Sequence, residues 1–228
     1  YNNLSLINAG IKAFVANSSI AGNFVVTTAT GIAPSAITFN GGSAQSIAGL
    51  AYNNLAFSGS GTKTFTSDAS VSATSEVTFA GGGSTIDFDG SLDDLIFQIN
   101  SNSTGTARVG NASGWTLNGK VTAERYIPAL RAWRLLTAPL TGTTGNKISD
   151  NWQGTNDEGL LLFSPAVFQS QTMTGYVTGG TSPNIRKYNG GFQLINNLTT
   201  EPIFGALATD TKPFLVFATG PSNSTAIE

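Results

Sequence analysis

The chain has 228 residues, of which only 11% are charged: Lys plus Arg total 11 and Asp plus Glu 13, for a net charge of −2. A globular domain carries roughly 25% charged residues; here 20 Asn, 23 Ser and 29 Thr supply the polar surface instead. With no Cys and no His, the chain has no disulfide framework, thiol nucleophile, Ser-His-Asp triad or His/Cys metal site.

In chain order, the first signal is repetition. Tyr1-Asn2-Asn3-Leu4 recurs as Tyr52-Asn53-Asn54-Leu55, and the match runs on through Leu6 with Phe57, Gly10 with Gly61, Lys12 with Lys63 and Phe14 with Phe65. Ile37-Thr38-Phe39-Asn40-Gly41-Gly42 then recurs, at a shorter offset, as Val77-Thr78-Phe79-Ala80-Gly81-Gly82. A degraded third copy opens at Asp93-Asp94-Leu95-Ile96-Phe97. The longer first offset implies an insertion in the first copy, around Ala29 to Ser35. Within the copies, residues alternate as strands do: Asn3-Leu4-Ser5-Leu6, Lys63-Thr64-Phe65-Thr66, then Val77, Phe79, Ile86 and Phe88 in short runs. Gly-Gly, Ser-Gly and Asn-Gly breaks separate the runs, and no stretch of a dozen residues has helical period.

Short strands, Gly-rich turns and a period of tens of residues predict a parallel, β-helix-like β-solenoid over residues 1–123, at about 20 residues per coil. Stacking then lays Asn2 and Asn3 over Asn53 and Asn54 as an amide ladder, which satisfies polar groups without charge. Leu4, Leu6, Phe14, Leu55, Phe57, Phe65, Phe79 and Phe88 are the expected filling.

From Glu124 the texture changes. Glu124-Arg125-Tyr126-Ile127-Pro128 and Arg131-Ala132-Trp133-Arg134-Leu135-Leu136 bring arginines and aromatics together. Strand-like runs follow at Leu160 to Phe163, Tyr176-Val177, Ile185 to Tyr188, Phe192 to Ile195 and Phe214 to Phe217. Asn189-Gly190-Gly191 is a hairpin signal. Residues 124–228 read as an antiparallel, β-sandwich-like unit that follows or caps the solenoid. The fold class is therefore all-β.

Several segments, in order along most of the chain, carry a family resemblance. The stretch Tyr52-Asn53-Asn54-Leu55-Ala56-Phe57-Ser58-Gly59-Ser60-Gly61-Thr62-Lys63-Thr64-Phe65 resembles the repeat of very large secreted surface proteins of Bacteroidetes bacteria. So does Gly114-Trp115-Thr116-Leu117-Asn118-Gly119-Lys120-Val121-Thr122 with the arginine-rich segment after it, then Trp152-Gln153 and Tyr188-Asn189-Gly190. The resemblance implies export by type IX secretion, display on the cell surface and an adhesin-like role without catalytic activity. It supplies no ligand and no site residue. A C-terminal sorting domain is expected in such a protein and is not found here; with the start at Tyr1, this reads as a piece of a longer chain.

Chemistry-bearing patterns are few. Asp87, Asp89, Asp93 and Asp94 form the one acidic cluster, and Asp87-Phe88-Asp89-Gly90 is similar to a calcium loop, because Ca²⁺ takes several oxygens from a turn. Asp93 and Asp94 stand where the earlier copies have Asn, and stacked carboxylates repel unless a cation sits there or the ladder ends. The bland reading is a solvated turn. Calcium is the only cofactor the pattern admits.

Arg125, Tyr126, Arg131, Trp133 and Arg134 are the right types to bind an anion or stack on a sugar ring. Their bland reading is core aromatics with arginines stacked on them or paired with Glu124. A polysaccharide lyase needs a base beside an acidic calcium site, and Lys63 or Arg108 would have to serve. Gly81-Gly82-Gly83 is not followed by a helix or Lys-Ser/Thr, so it is no phosphate loop.

The net charge leaves no footprint for nucleic acid. The longest nearly apolar run, Leu160 to Phe168, is broken by Ser164 and Pro165, too short for a membrane helix. The sequence thus predicts a non-enzymatic structural or adhesive module, extracellular and at the cell surface, as a stalk or filament segment. Its expected partners are other segments of the same large protein, like subunits, or surface glycans. The alternative is a carbohydrate-binding or polysaccharide-lyase-like β-helix with calcium.

Overall fold

The computed structural model describes residues 1–14, 16–28, 32–33, 36–82, 84–88, 95–127, 132–137, 185–195 and 213–218. Every regular element among these residues is a β-strand. Two compact units divide the chain, Tyr1–Tyr126 and Ile127–Glu228, against a 123/124 boundary expected from the change in texture.

The first unit is a parallel β-solenoid whose coils each contribute three short strands. Coil one holds β1 (Leu4–Leu6), β2 (Lys12–Ala13) and β3 (Ser18–Ile20). Coil two holds β4 (Phe24–Val26), β5 (Ile32–Ala33) and β6 (Ala36–Phe39); coil three holds β7 (Gln45–Ile47), β8 (Ala51–Tyr52) and β9 (Asn54–Phe57). Coil four holds β10 (Lys63–Phe65), β11 (Ala69–Val71) and β12 (Glu76–Phe79). Coil five holds β13 (Thr85–Asp87), β14 (Ile96–Ile99) and β17 (Arg108–Val109), interrupted by the small antiparallel hairpin of β15 (Ser101–Asn102) and β16 (Gly105–Thr106). A sixth coil begins with β18 (Thr116–Asn118) and β19 (Lys120–Ala123).

Like strands pair coil to coil. The first face is the sheet β1-β4-β7-β10-β13-β18, and the third is β3-β6-β9-β12-β17. The second face is β2-β5 and β8-β11-β14-β19. Strand alternation decides what goes inside. On β9, Asn54 is exposed while Leu55 and Phe57 are buried. Register then stacks like on like: Ile37, Leu55 and Val77 adjoin, as do Phe39, Phe57 and Phe79. The rings of Phe39 and Phe57 stack at 6.2 Å, and those of Phe57 and Phe79 at 5.8 Å. Trp115 closes this column 5.8 Å from Phe79. Stacked and edge-on ring pairs contribute about 0.5–1.5 kcal/mol each beyond their area burial.

The corners need small residues. A Cβ on Gly61 would sit 1.7 Å from the Ser43 carbonyl oxygen, so only glycine fits where these coils touch. Gly59, with φ +74°, takes a left-handed conformation that costs glycine nothing.

Three expectations from the repeat are corrected. Leu4 lies on the first face beside Phe24, whereas Leu55 lies on the third face beside Ile37 and Val77. Asn2 and Asn3 therefore do not stack on Asn53 and Asn54, and that amide ladder does not form. Likewise Leu95 leads into β14 on the second face, so the copy opening at Asp93 is not stacked on the Asn54 copy. The reason is unequal coil length: Gln45 faces Lys63, but Thr85 faces Thr116. A fixed sequence offset then lands on a different face. With the two copies on different faces, their offset no longer implies an insertion around Ala29 to Ser35, where β5 pairs with β2.

In the second unit the described strands form one antiparallel sheet, ordered β20-β23-β21-β22. They are β20 (Ala132–Thr137), β21 (Ile185–Tyr188), β22 (Phe192–Leu194) and β23 (Pro213–Ala218). The Asn189-Gly190-Gly191 turn joins β21 to β22 as a hairpin, with Gly190 at φ +66° and the Asn189 amide donating to the Gly191 carbonyl at 3.0 Å. Ile185, Ile195, Phe214 and Val216 are buried. The expected strands at Leu160 to Phe163 and Tyr176-Val177 lie outside the described residues.

Candidate functional site

Of the acidic cluster, Asp87 ends β13 with its side chain on the outer side of the first face. In register it lies between Thr64 and Asn118. Asp89, Asp93 and Asp94 lie outside the described residues. Among the described residues no three His, Cys, Asp or Glu side chains group to hold a metal ion.

The expected amide ladder has a substitute at the corners. Asn3 Oδ1 accepts the Asn23 amide at 2.7 Å, and Asn23 Oδ1 accepts the Ser46 amide at 2.9 Å. Asn54 Oδ1 accepts the Glu76 amide at 3.0 Å, and Asp68 Oδ1 accepts the Ile96 amide at 2.9 Å. Each side chain ties its own coil to the backbone of the next. These side-chain oxygens satisfy backbone amides where the strands break and backbone groups need partners.

Lys63 is wholly buried inside the solenoid. Its Nζ donates to the Gly61 carbonyl at 2.6 Å and to the Gly41 carbonyl at 2.9 Å. Burial pulls the amine below the ordinary lysine range, because desolvation disfavours the charged form. Gln45, its neighbour in register, is also buried. The Gln45 amide donates to the carbonyls of Ile20 and Gly22, and its Oε1 accepts the Gly41 amide at 2.8 Å. An interior amine cannot meet a polysaccharide, so Lys63 is excluded as the lyase base. The second such residue, Arg108, is exposed and makes a loose ion pair with Glu76 at 3.7 Å, a pairing worth little in water.

The aromatic-basic segment is divided. Arg125 and Tyr126 belong to the solenoid unit, and Trp133 and Arg134 to the second. Arg131 lies outside the described residues. The Glu124 carboxylate is taken by the Gln98 side chain and the Ser101 amide, the latter at 2.9 Å. Trp133 and Arg134, adjacent on β20, point to opposite sides of the sheet. The cation on Trp133 is Arg186, whose guanidinium carbon lies 5.7 Å from the ring centre, and Phe217 packs on the ring at 5.3 Å. Tyr188 and Phe192 are also exposed and meet edge-on at 5.3 Å. Trp115, by contrast, is buried in the solenoid, and Trp152 lies outside the described residues.

No family model, curated protein or solved structure matches this chain. No described helix is long and apolar enough to cross a membrane. The sequence reading missed the inward Lys63 and Gln45 as a pair. The signal was present: Lys63 alternates with Thr64 and shares a side with Phe65, so an inward Phe65 requires an inward Lys63.

Proposed function

We propose that this chain is a non-enzymatic, extracellular structural or adhesive module of a large secreted bacterial surface protein, serving as a stalk or filament segment. The supporting observation is the division of roles along each strand. Most inward positions form an aromatic and aliphatic column, with Gln45 and Lys63 the buried polar exceptions, while the outward positions in register at Ser46, Thr64, Asp87 and Asn118 are polar. Such a chain holds itself by backbone hydrogen bonds between coils, which needs neither metal nor disulfide. Its partners are neighbouring segments of the same large protein or like subunits, and its place is the cell surface after type IX export, as the family resemblance implies.

The test is limited proteolysis of the full chain with a broad-specificity protease. A resistant core spanning residues 1–126 is expected. Rapid cleavage at many sites inside that core would sink the structural role.

A second reading is favoured by one observation. Trp133 is 46% exposed and shares its side of the sheet with Arg186, Tyr188 and Phe192, side chains that suit stacking and hydrogen bonding to sugar rings. This reading makes the chain a surface-glycan binder, or a lyase-like enzyme with calcium held by Asp87, Asp89, Asp93 and Asp94. A glycan array with and without chelator separates it from the first. Saturable, chelator-sensitive binding would support it, and no binding to any glycan would end it.

A further inference from the structure

Lys63 occupies the position in register that Gln45 takes one coil earlier and Ile86 one coil later. Its amine spans two corners, bonding the Gly41 carbonyl that leads into coil three and the Gly61 carbonyl that leads into coil four. Ser84 adds a third donor to this seam, its hydroxyl reaching the Gly61 carbonyl at 2.7 Å. Among the described residues, the groups facing Nζ are neutral. β7 presents Gln45, β13 presents Ile86, the corners present carbonyls, and Ser84 presents a hydroxyl. Asp87, the carboxylate next to Ile86, belongs to the outer side of the sheet beside Thr64. An ammonium here keeps two of its three donors satisfied and has no counter-charge among the described residues, whereas a neutral amine satisfies both carbonyls with its two N–H groups and leaves only a lone pair unmatched.

We propose that Lys63 is a proton-operated clamp between the third and fourth coils: the corner tightens when the amine sheds its extra proton and loosens when it regains it. The sign follows from linkage. An unfolded lysine holds its proton up to about pH 10.4, while burial lowers the folded value. Between the two, unfolding takes up one proton, so the folding equilibrium constant rises about tenfold per pH unit. Below the folded value both states are protonated and the gain is absent. Tyr52, buried on β8 with its hydroxyl on the Ala48 carbonyl, acts in the opposite sense. Its phenol is raised by burial, so the unfolded chain ionises first and stability falls above about pH 10.

The experiment is urea unfolding of the full chain between about pH 6 and about pH 10, for the natural sequence, Lys63→Gln and Lys63→Met. Lys63→Gln repeats the amide that Gln45 already uses, and the Tyr52 contribution cancels in the comparison. The ratio of folding constants, natural over variant, should climb with pH by up to about tenfold per unit. Parallel profiles, or a ratio that falls as pH rises, would overturn the clamp. A direct carbon-NMR titration of the Lys63 Cε in the folded natural chain decides the matter even if both variants fail to fold. A midpoint below the ordinary lysine value supports the clamp, and one at or above it overturns it.

Discussion

Phe57 is the most informative residue to remove. Its side chain is fully buried, stacked between Phe39 and Phe79 and edge-on to Phe65 at 6.3 Å. Truncating a buried Phe to Ala costs about 3–5 kcal/mol, the upper end applying where the surroundings cannot collapse into the cavity. Here the three neighbouring rings are held by strands on two faces, which argues for the upper end. Domains are stable by only about 5–15 kcal/mol, so Phe57→Ala should remove a large part of the solenoid's stability. Thr78 lies on the neighbouring strand with its side chain on the outer side, and Thr78→Ala should change stability by less than about 0.5 kcal/mol. Urea unfolding followed by circular dichroism measures both. A pairing shifted by one residue would exchange the two sides of every strand and reverse the two results. Equal, small effects would refute the stacked interior.

Further outcomes follow from the same geometry. Leu55→Asp places a charge in the closed interior and should unfold the solenoid, while Leu4→Asp, on the partly buried first strand, should only lower its melting temperature; an unchanged melting curve for Leu55→Asp would defeat the assignment of coils. Gly61→Ala forces its Cβ against the Ser43 backbone and should cost about 1–3 kcal/mol, whereas Gly82→Ala, whose Cβ meets nothing closer than 3.8 Å, should cost far less in the same denaturation assay. In acrylamide quenching, Trp133→Phe should reduce the quenchable fluorescence more than Trp115→Phe does; the reverse order would contradict the burial of Trp115.

The alternation of short strands was enough to assign the all-β solenoid, and the matched Ile37 and Val77 segments do lie on one face, two coils apart. The Tyr-Asn-Asn-Leu match misled about stacking for a physical reason. Asn3 and Asn54 perform the same task, each accepting an amide from the next coil, but on different faces. The motif records a corner chemistry that any face can use, so its recurrence does not report register. Coil length, set by loops that no periodicity constrains, decides the face. Lys63 shows the reverse case. Its alternation with Phe65 was legible, yet the expectation of a lyase base at Lys63 needs an exposed amine, which its burial rules out. The pairing of Trp133 with Arg186 joins residues on β20 and β21 that are distant in sequence, and no local pattern announces it.

The most direct test of the structural role is electron microscopy of the purified native protein, with and without a calcium chelator. Elongated particles or regular filaments that persist in chelator are the predicted result. Compact, isolated particles in both conditions would contradict a stalk or filament segment, and elongated particles that fall apart only in chelator would contradict the metal-independent account and move the acidic residues around Asp87 to its centre.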